Sequence, residues 1–162
     1  MTISIIAAVA LNGIIGNGGK LPWRRIDVDM QHFFDTTVNN TVIMGATTFL
    51  DDLKGRSLYD RQNVVLTNNR VNEVSRYMNI EVATNPEQAL GLSSEFNDVF
   101  VIGGAKIYQV FLPMVNTMYI SHVLSVYEGD TYFPPIDWSE WKLESEINRD
   151  DVVHINKYVR KV

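Results

Sequence analysis

Short, nearly continuous apolar runs, separated by helix-like or turn-rich segments, set the tightest limit on what this chain can fold into. The runs fall at residues 1–10, 41–44, 63–67, 80–83, 98–103 and 118–123. Each lacks the polar alternation of a half-exposed strand. Strands of this kind are buried on both faces, which calls for a parallel sheet covered by helices on either side. The last forty residues lose the helical signal and read as antiparallel strands ending in 152–162. The pattern predicts an α/β fold in a single domain over 1–162, with a mostly parallel central β-sheet flanked by helices and an antiparallel C-terminal edge. A chain of 162 residues suits one domain and buries a real core without staples.

Between the runs, Asp27 is placed to N-cap a helix running to Thr37, and a helix-like stretch starts at Thr47. Pro86 suits the first turn of a short helix through Leu90. A glycine turn at Gly103-Gly104 opens a helix to Leu112. Residues 12–23 hold Gly13, Gly16, Gly18, Gly19 and Pro22, which predicts a long, mobile loop of the kind that often carries function.

Composition removes several classes of function. There is no cysteine, so disulfides, thiolate metal sites and a cysteine nucleophile are excluded. Nineteen acids against 14 bases argue against a nucleic-acid partner, which needs a basic surface. No run approaches the roughly 20 apolar residues of a membrane span. The N-terminal run lacks the basic flank of a signal peptide and reads as a buried first strand. The expectation is a cytoplasmic monomer. His32, His122 and His154 lack metal-ligand spacing; His32 reads as a surface helix residue and the other two as strand residues. No serine sits in a nucleophile-elbow pattern.

Four features remain as candidates for chemistry. Asp29 shares a helical face with Phe33 and adjoins Met30, an apolar wall that raises a carboxyl pKa and suits a cationic or amidine-like group. Taken alone, Asp29 reads sooner as a solvated helix acid or a helix cap. The Ile102-Gly103-Gly104-Ala105 turn lets backbone amides approach a phosphate, though two glycines at a strand end also make an ordinary tight turn. Arg61 is either an exposed strand-end charge or a bidentate carboxylate clamp. Trp23 reads as a packing anchor.

Their order along the chain resembles the dihydrofolate reductase family, of the chromosomal, monomeric type. The resemblance rests on Ile6-Ala7-Ala8, Ile14-Ile15-Gly16, Leu21-Pro22-Trp23, Asp29 with Phe33, and Val42-Ile43-Met44-Gly45 with Thr48. It continues through Arg61 before Val64-Val65-Leu66-Thr67, then Val101 to Tyr108 with its two glycines, Glu128-Gly129-Asp130-Thr131, and Phe133-Pro134. It implies that Asp29, rather than Asp27, is the pterin-site carboxylate, supported by the Ser121 hydroxyl. It also implies catalytic positions at Leu21 and Trp23, and a substrate pocket of Ile6, Ala8, Met30, Phe33, Leu53, Leu58, Ile102 and Tyr108. Arg61, with Arg56 nearby, would hold the substrate's glutamate carboxylate.

For the cofactor NADPH, the resemblance implies Ala8, Ile14, Ile15, Gly16, Asn17, Gly18, Gly19, Lys20 and Leu21 along the nicotinamide ribose. Gly45, Ala46, Thr47, Thr48, Gly103, Gly104, Ala105, Lys106, Ile107, Tyr108 and Thr131 would surround nicotinamide and pyrophosphate, together with Ile102. Leu66, Thr67, Asn68 and Arg70 would fall near the adenosine 2′-phosphate, in a subdomain spanning roughly residues 41–96. The family carries a cis peptide at the position of Gly103-Gly104. One departure stands out: Ala46 occupies a position where the family usually has a base. The implied activity is NADPH-dependent reduction of 7,8-dihydrofolate to tetrahydrofolate. The alternatives are a pyrimidine reductase of riboflavin synthesis, whose fold is related, and a non-catalytic folate- or nucleotide-binding module.

Overall fold

A computed structural model describes residues 1–95 and 97–162. The chain begins with β1 (Ile3–Ala10), β2 (Ile14–Gly16), α1 (Asp27–Thr37) and β3 (Thr41–Gly45), followed by a π-helical turn over Thr48–Asp52. Next come β4 (Gln62–Leu66), α2 (Val71–Val74), β5 (Glu81–Ala83), α3 (Pro86–Leu92), β6 (Val99–Gly103) and α4 (Ala105–Phe111). It closes with β7 (Thr117–Val123), β8 (Thr131–Tyr132), β9 (Trp141–Arg149) and β10 (Val153–Arg160).

The central sheet has the order β5-β4-β3-β6-β1-β7-β10-β9. Pairing is parallel from β5 through β7 and antiparallel from β7 to β10 and β9. This is the predicted fold class. Alternate residues of the buried strands feed opposite faces, as a two-residue period requires. Ile5, Ile43, Val64, Val99 and Val101 pack with Tyr108 and Phe111 of α4 and Ala89 of α3. Ile6, Val42, Met44, Val65 and Phe100 pack on the other side with Phe49, Val74 and, from α1, Phe33. Both faces are therefore covered, and the site must lie at a strand end.

Three local readings need correction. Residues 12–23 are not structureless, because β2 within them pairs with β8. That pairing forces Gly129: a Cβ there would collide with the Gly16 carbonyl. Asp27 is the first helical residue rather than the cap; Ile26 occupies the cap position, and the Asp27 carboxylate accepts from Arg25 Nε at 2.9 Å. The strand expected at 63–67 runs Gln62–Leu66; Thr67 stays buried, its N–H donates to the Ala83 carbonyl, and its hydroxyl accepts from the Arg70 N–H at the start of α2, a single turn with no sequence signal. By contrast, Asn85 caps α3 by accepting from Gln88 N–H, with Pro86 in the first turn as read.

The segment between the π-helical turn and β4 is fixed by one buried amide. Asn63 Oδ1 accepts from Leu58 N–H at 2.8 Å, and its Nδ2 donates to the carbonyls of Leu58 and Arg61, each at 2.9 Å. Replacing it leaves three backbone groups unpaired in a place where Asn63 is only 3% exposed. Asn63→Leu is expected to cost about 2–3 kcal/mol, read as a lowered urea midpoint at unchanged m-value.

Candidate active site

The site is built where α1 crosses the carboxyl end of β7. Asp29, in the first turn of α1, accepts a hydrogen bond from Ser121 Oγ at 2.5 Å. Ser121 is 2% exposed and pairs in register with Ala8 of β1, so the two strands hold its hydroxyl beneath the helix. Burial raises the Asp29 pKa above the ordinary carboxylate range, while the Ser121 hydrogen bond and nearby His32 pull it partly back. The result is a desolvated carboxylate with one strong partner and lone pairs left for a ligand.

Around Asp29 lies a mostly apolar cavity of about 480 Å³. Its floor is Ile6 and Ala8 of β1 with Ile102 of β6, and one wall is Met30 and Phe33 of α1. Leu53 and Leu58 close the far side, and Lys20 and Leu21 form the rim. Tyr108 also faces it; its hydroxyl lies 2.9 Å from the Ile6 and Ile102 carbonyls and donates between β1 and β6. Burial raises the Tyr108 pKa, so it stays a phenol.

Next to the cavity, and sharing Met30, Phe33 and Leu58 with it, a groove contains Arg61. The guanidinium donates through Nε to the Tyr59 carbonyl and through Nη1 to Thr37 Oγ1, and it stands over the Phe33 and Phe34 rings. These contacts orient it without using Nη2. A second arginine in the groove, Arg25, is paired with Asp27. Arg56 lines neither the cavity nor the groove.

The ends of β4, β3 and β6 come side by side at Leu66, Gly45 and Gly103. A Cβ on Gly45 would stand 3.0 Å from Ile107, and one on Gly103 3.2 Å from the Tyr108 hydroxyl, so α4 needs both glycines to approach the sheet. The Gly103-Gly104 peptide is cis. Over Gly104 only Thr48 Oγ1, at 3.8 Å, comes near the place of a Cβ, which leaves an open cradle between the π-helical turn and α4. On the rim, Gly16 pairs with Thr131, and Asn17 and Lys20 close a turn through their backbones. Gly18 N–H donates to Asp130.

Several expected residues sit elsewhere. Trp23 is 9% exposed and packs edge-on to Tyr127, outside the cavity lining. Ile14 is buried in the same cluster as Trp23, and Ala46 is buried among Val42, Phe49 and Val65. Arg70 is held by both oxygens of Glu73 at 2.8 Å. His32 is half-buried rather than a free surface residue: its ring lies tilted against Tyr119, 6.0 Å between centroids, and burial lowers its pKa. Sequence reasoning missed Asp51 and Asp52, which line the cavity. Burial and the Asp51 charge push Asp52 up to about 6. Two adjacent acids just after Thr48-Phe49-Leu50 were the available signal. Among the described residues no cluster of side chains could hold a metal ion.

The fold and site define a class: a doubly covered α/β domain with one hydroxyl-supported carboxylate in an apolar cavity at its strand ends. A family model described as "Dihydrofolate reductase" matches residues 2–160. A dihydrofolate reductase of Haemophilus influenzae is 31% identical over 144 residues, covering 89% of this chain and 86% of that one. One from Staphylococcus haemolyticus is 34% identical over 142 residues, covering 88% and 82%. The solved dihydrofolate reductase from Enterococcus faecalis complexed with NADP(H) and RAB-propyl superposes with a TM-score of 0.86 at 29% identity, covering 99% of this chain and 97% of that one. The chain belongs to the dihydrofolate reductase family.

An acid with a raised folded-state pKa penalises folding when ionised. The penalty is full at neutral pH and fades as the folded form takes up its proton ahead of the unfolded one. Asp29→Asn is therefore expected to raise the Tm at pH 7, with the gain vanishing below about pH 4, where both states are protonated. Thermal denaturation of both proteins across that range measures it.

Proposed function

We propose that the protein reduces 7,8-dihydrofolate to 5,6,7,8-tetrahydrofolate with NADPH, in the cytoplasm and as a monomer, and so supplies one-carbon metabolism. The observation that carries this reading is Asp29, a desolvated carboxylate tied to Ser121, in a cavity that adjoins an arginine groove. The pterin ring enters the cavity between Ile6, Met30 and Phe33. Asp29 accepts from its amide and 2-amino groups, which raises the basicity of N5. The p-aminobenzoyl glutamate runs along Leu53 and Leu58 into the groove, where Arg61 takes a carboxylate.

The cofactor site fits the residues present, because the open space over Gly104 lies beside the Thr48 hydroxyl, at the converging ends of β3, β4 and β6. Bound NADPH supplies the hydride. Gly45, Thr47, Thr48 and Gly103 to Tyr108 would hold its nicotinamide and pyrophosphate, with Ile15 to Leu21 and Thr131 along the ribose. Thr67, Asn68 and the 41–96 subdomain would hold the adenosine end. Leu21, 52% exposed at the rim, closes the site against water. With Ala46 buried and Arg70 engaged by Glu73, preference for NADPH over NADH is narrower than in relatives with a base at that position.

Loss of NADPH absorbance on adding dihydrofolate tests the activity. Asp29→Asn is expected to lose at least a hundredfold in rate at pH 7, within the range for a lost acid–base group, and the deficit should shrink at low pH, where the substrate is already protonated. Normal activity in Asp29→Asn with loss in Asp27→Asn would move the carboxylate two residues. Arg61→Leu should raise KM for dihydrofolate by roughly ten- to a hundredfold, the worth of a charge-assisted contact, and much less for a pterin lacking the glutamate. Equal losses on both substrates would assign Arg61 a folding role.

A further inference from the structure

Two acids in the cavity wall have no part in the chemistry above. The π-helical turn follows β3 and brings Asp51 and Asp52 to the cavity between Thr48 and Leu53. The sheet order β3-β6-β1-β7 sets this turn across the cavity from Asp29, which stands over β7, with the floor strands β6 and β1 between them. Tyr108, whose hydroxyl bridges those two floor strands, feels the charges of both Asp29 and Asp52. The cavity is thus apolar through its middle and carries a carboxylate on either side.

The two adjacent acids meet different surroundings. A Cβ on Gly19 would stand 3.5 Å from the Asp51 Cβ and Oδ2, so Asp51 lies against the rim turn that Asn17 and Lys20 close. Asp52 has no such neighbour. Among the described residues its carboxylate makes no hydrogen bond and no ion pair, and Lys54 acts on it only as a charge at a distance. Partial desolvation and the Asp51 charge push its pKa up to about 6, which leaves it an ionised acceptor at neutral pH.

A ligand that fills the cavity must bring a hydrogen-bond donor to each side or leave a carboxylate desolvated without a partner. The donor edge of a pterin answers Asp29. Between its pterin and benzoyl rings dihydrofolate carries one further donor, the secondary amine N10–H. With the pterin between Ile6, Met30 and Phe33 and the benzoyl ring along Leu53 and Leu58, this bridge crosses the wall at Asp52, next to Leu53 in the chain. We propose that Asp52 is a specificity-determining residue of the cavity: its carboxylate accepts from the bridging amine, so the site selects ligands with an N–H there over those in which that nitrogen is substituted. The assignment rests on the function proposed above and names a further contact to the same substrate.

The test is isothermal titration calorimetry at neutral pH, without cofactor, using folate, 10-methylfolate and 6-methylpterin. The wild type should bind folate about tenfold more tightly than 10-methylfolate, the worth of a hydrogen bond to a charged acceptor. Asp52→Leu should remove that preference by weakening folate alone. Asp52→Asn, which keeps the shape and a neutral acceptor, should fall between. 6-Methylpterin has the ring donors and no bridging amine, so it should bind all three proteins alike. A preference that survives in Asp52→Leu would show that shape alone rejects the methyl group and would overturn the proposal. So would a wild type that binds both folates equally, equal losses on all three ligands, or a preference abolished by Asp51→Asn instead. A wild type that binds none of the three would overturn the proposed function, and this assignment with it.

Discussion

The hydrogen bond from Ser121 to Asp29 joins the two parts of the molecule that must stay in register for the site to exist. One partner is fixed by the sheet: Ser121 lies on a parallel strand paired to β1, with no freedom to move without breaking that pairing. The other is carried by an 11-residue helix whose only fully buried residue is Thr37, at the opposite end from Asp29. The helix therefore leans on this bond and on Phe33 for its seating. Ionisation of a desolvated carboxylate is costly, and a single strong donor offsets part of that cost. The unspent remainder is what makes Asp29 a receptive partner for a protonated or amidine-like ring edge.

Much of this was legible in the sequence, for a physical reason. Strands buried on both faces must be apolar throughout, so Val42-Ile43-Met44 and Val99 to Ile102 announce themselves. Pro86 after Asn85 marks a helix start by local chemistry alone. The glycines at 45 and 103 follow from the close approach of α4 to the sheet. Asp29 stood out because its helical neighbours are Met30 and Phe33.

What stayed hidden depends on long-range contacts. Pairing of β2 with β8 joins segments more than a hundred residues apart, and no local pattern in 12–23 marks it. Asp27 looked like a cap, but Arg25 claims its carboxylate. His32 reads as a solvated helix residue until β7 brings Tyr119 against it. Asp51 and Asp52 reach the cavity from a π-helical turn that no local pattern marks. Trp23 was placed in the site by resemblance and is held by Tyr127 instead, which makes it a support for the loop rather than a lining residue.

Taken together, the sheet fixes a hydroxyl, the hydroxyl fixes a carboxylate, and the carboxylate gives a mostly apolar cavity its direction. The most direct test is a crystal structure of the ternary complex with NADP⁺ and folate. The account predicts the pterin amide and 2-amino groups on Asp29, with Ser121 still donating to the same carboxylate and a glutamate carboxylate on Arg61. A pterin ring seated away from Asp29, or an Asp29 turned out of the cavity with Ser121 bonded elsewhere, would contradict it.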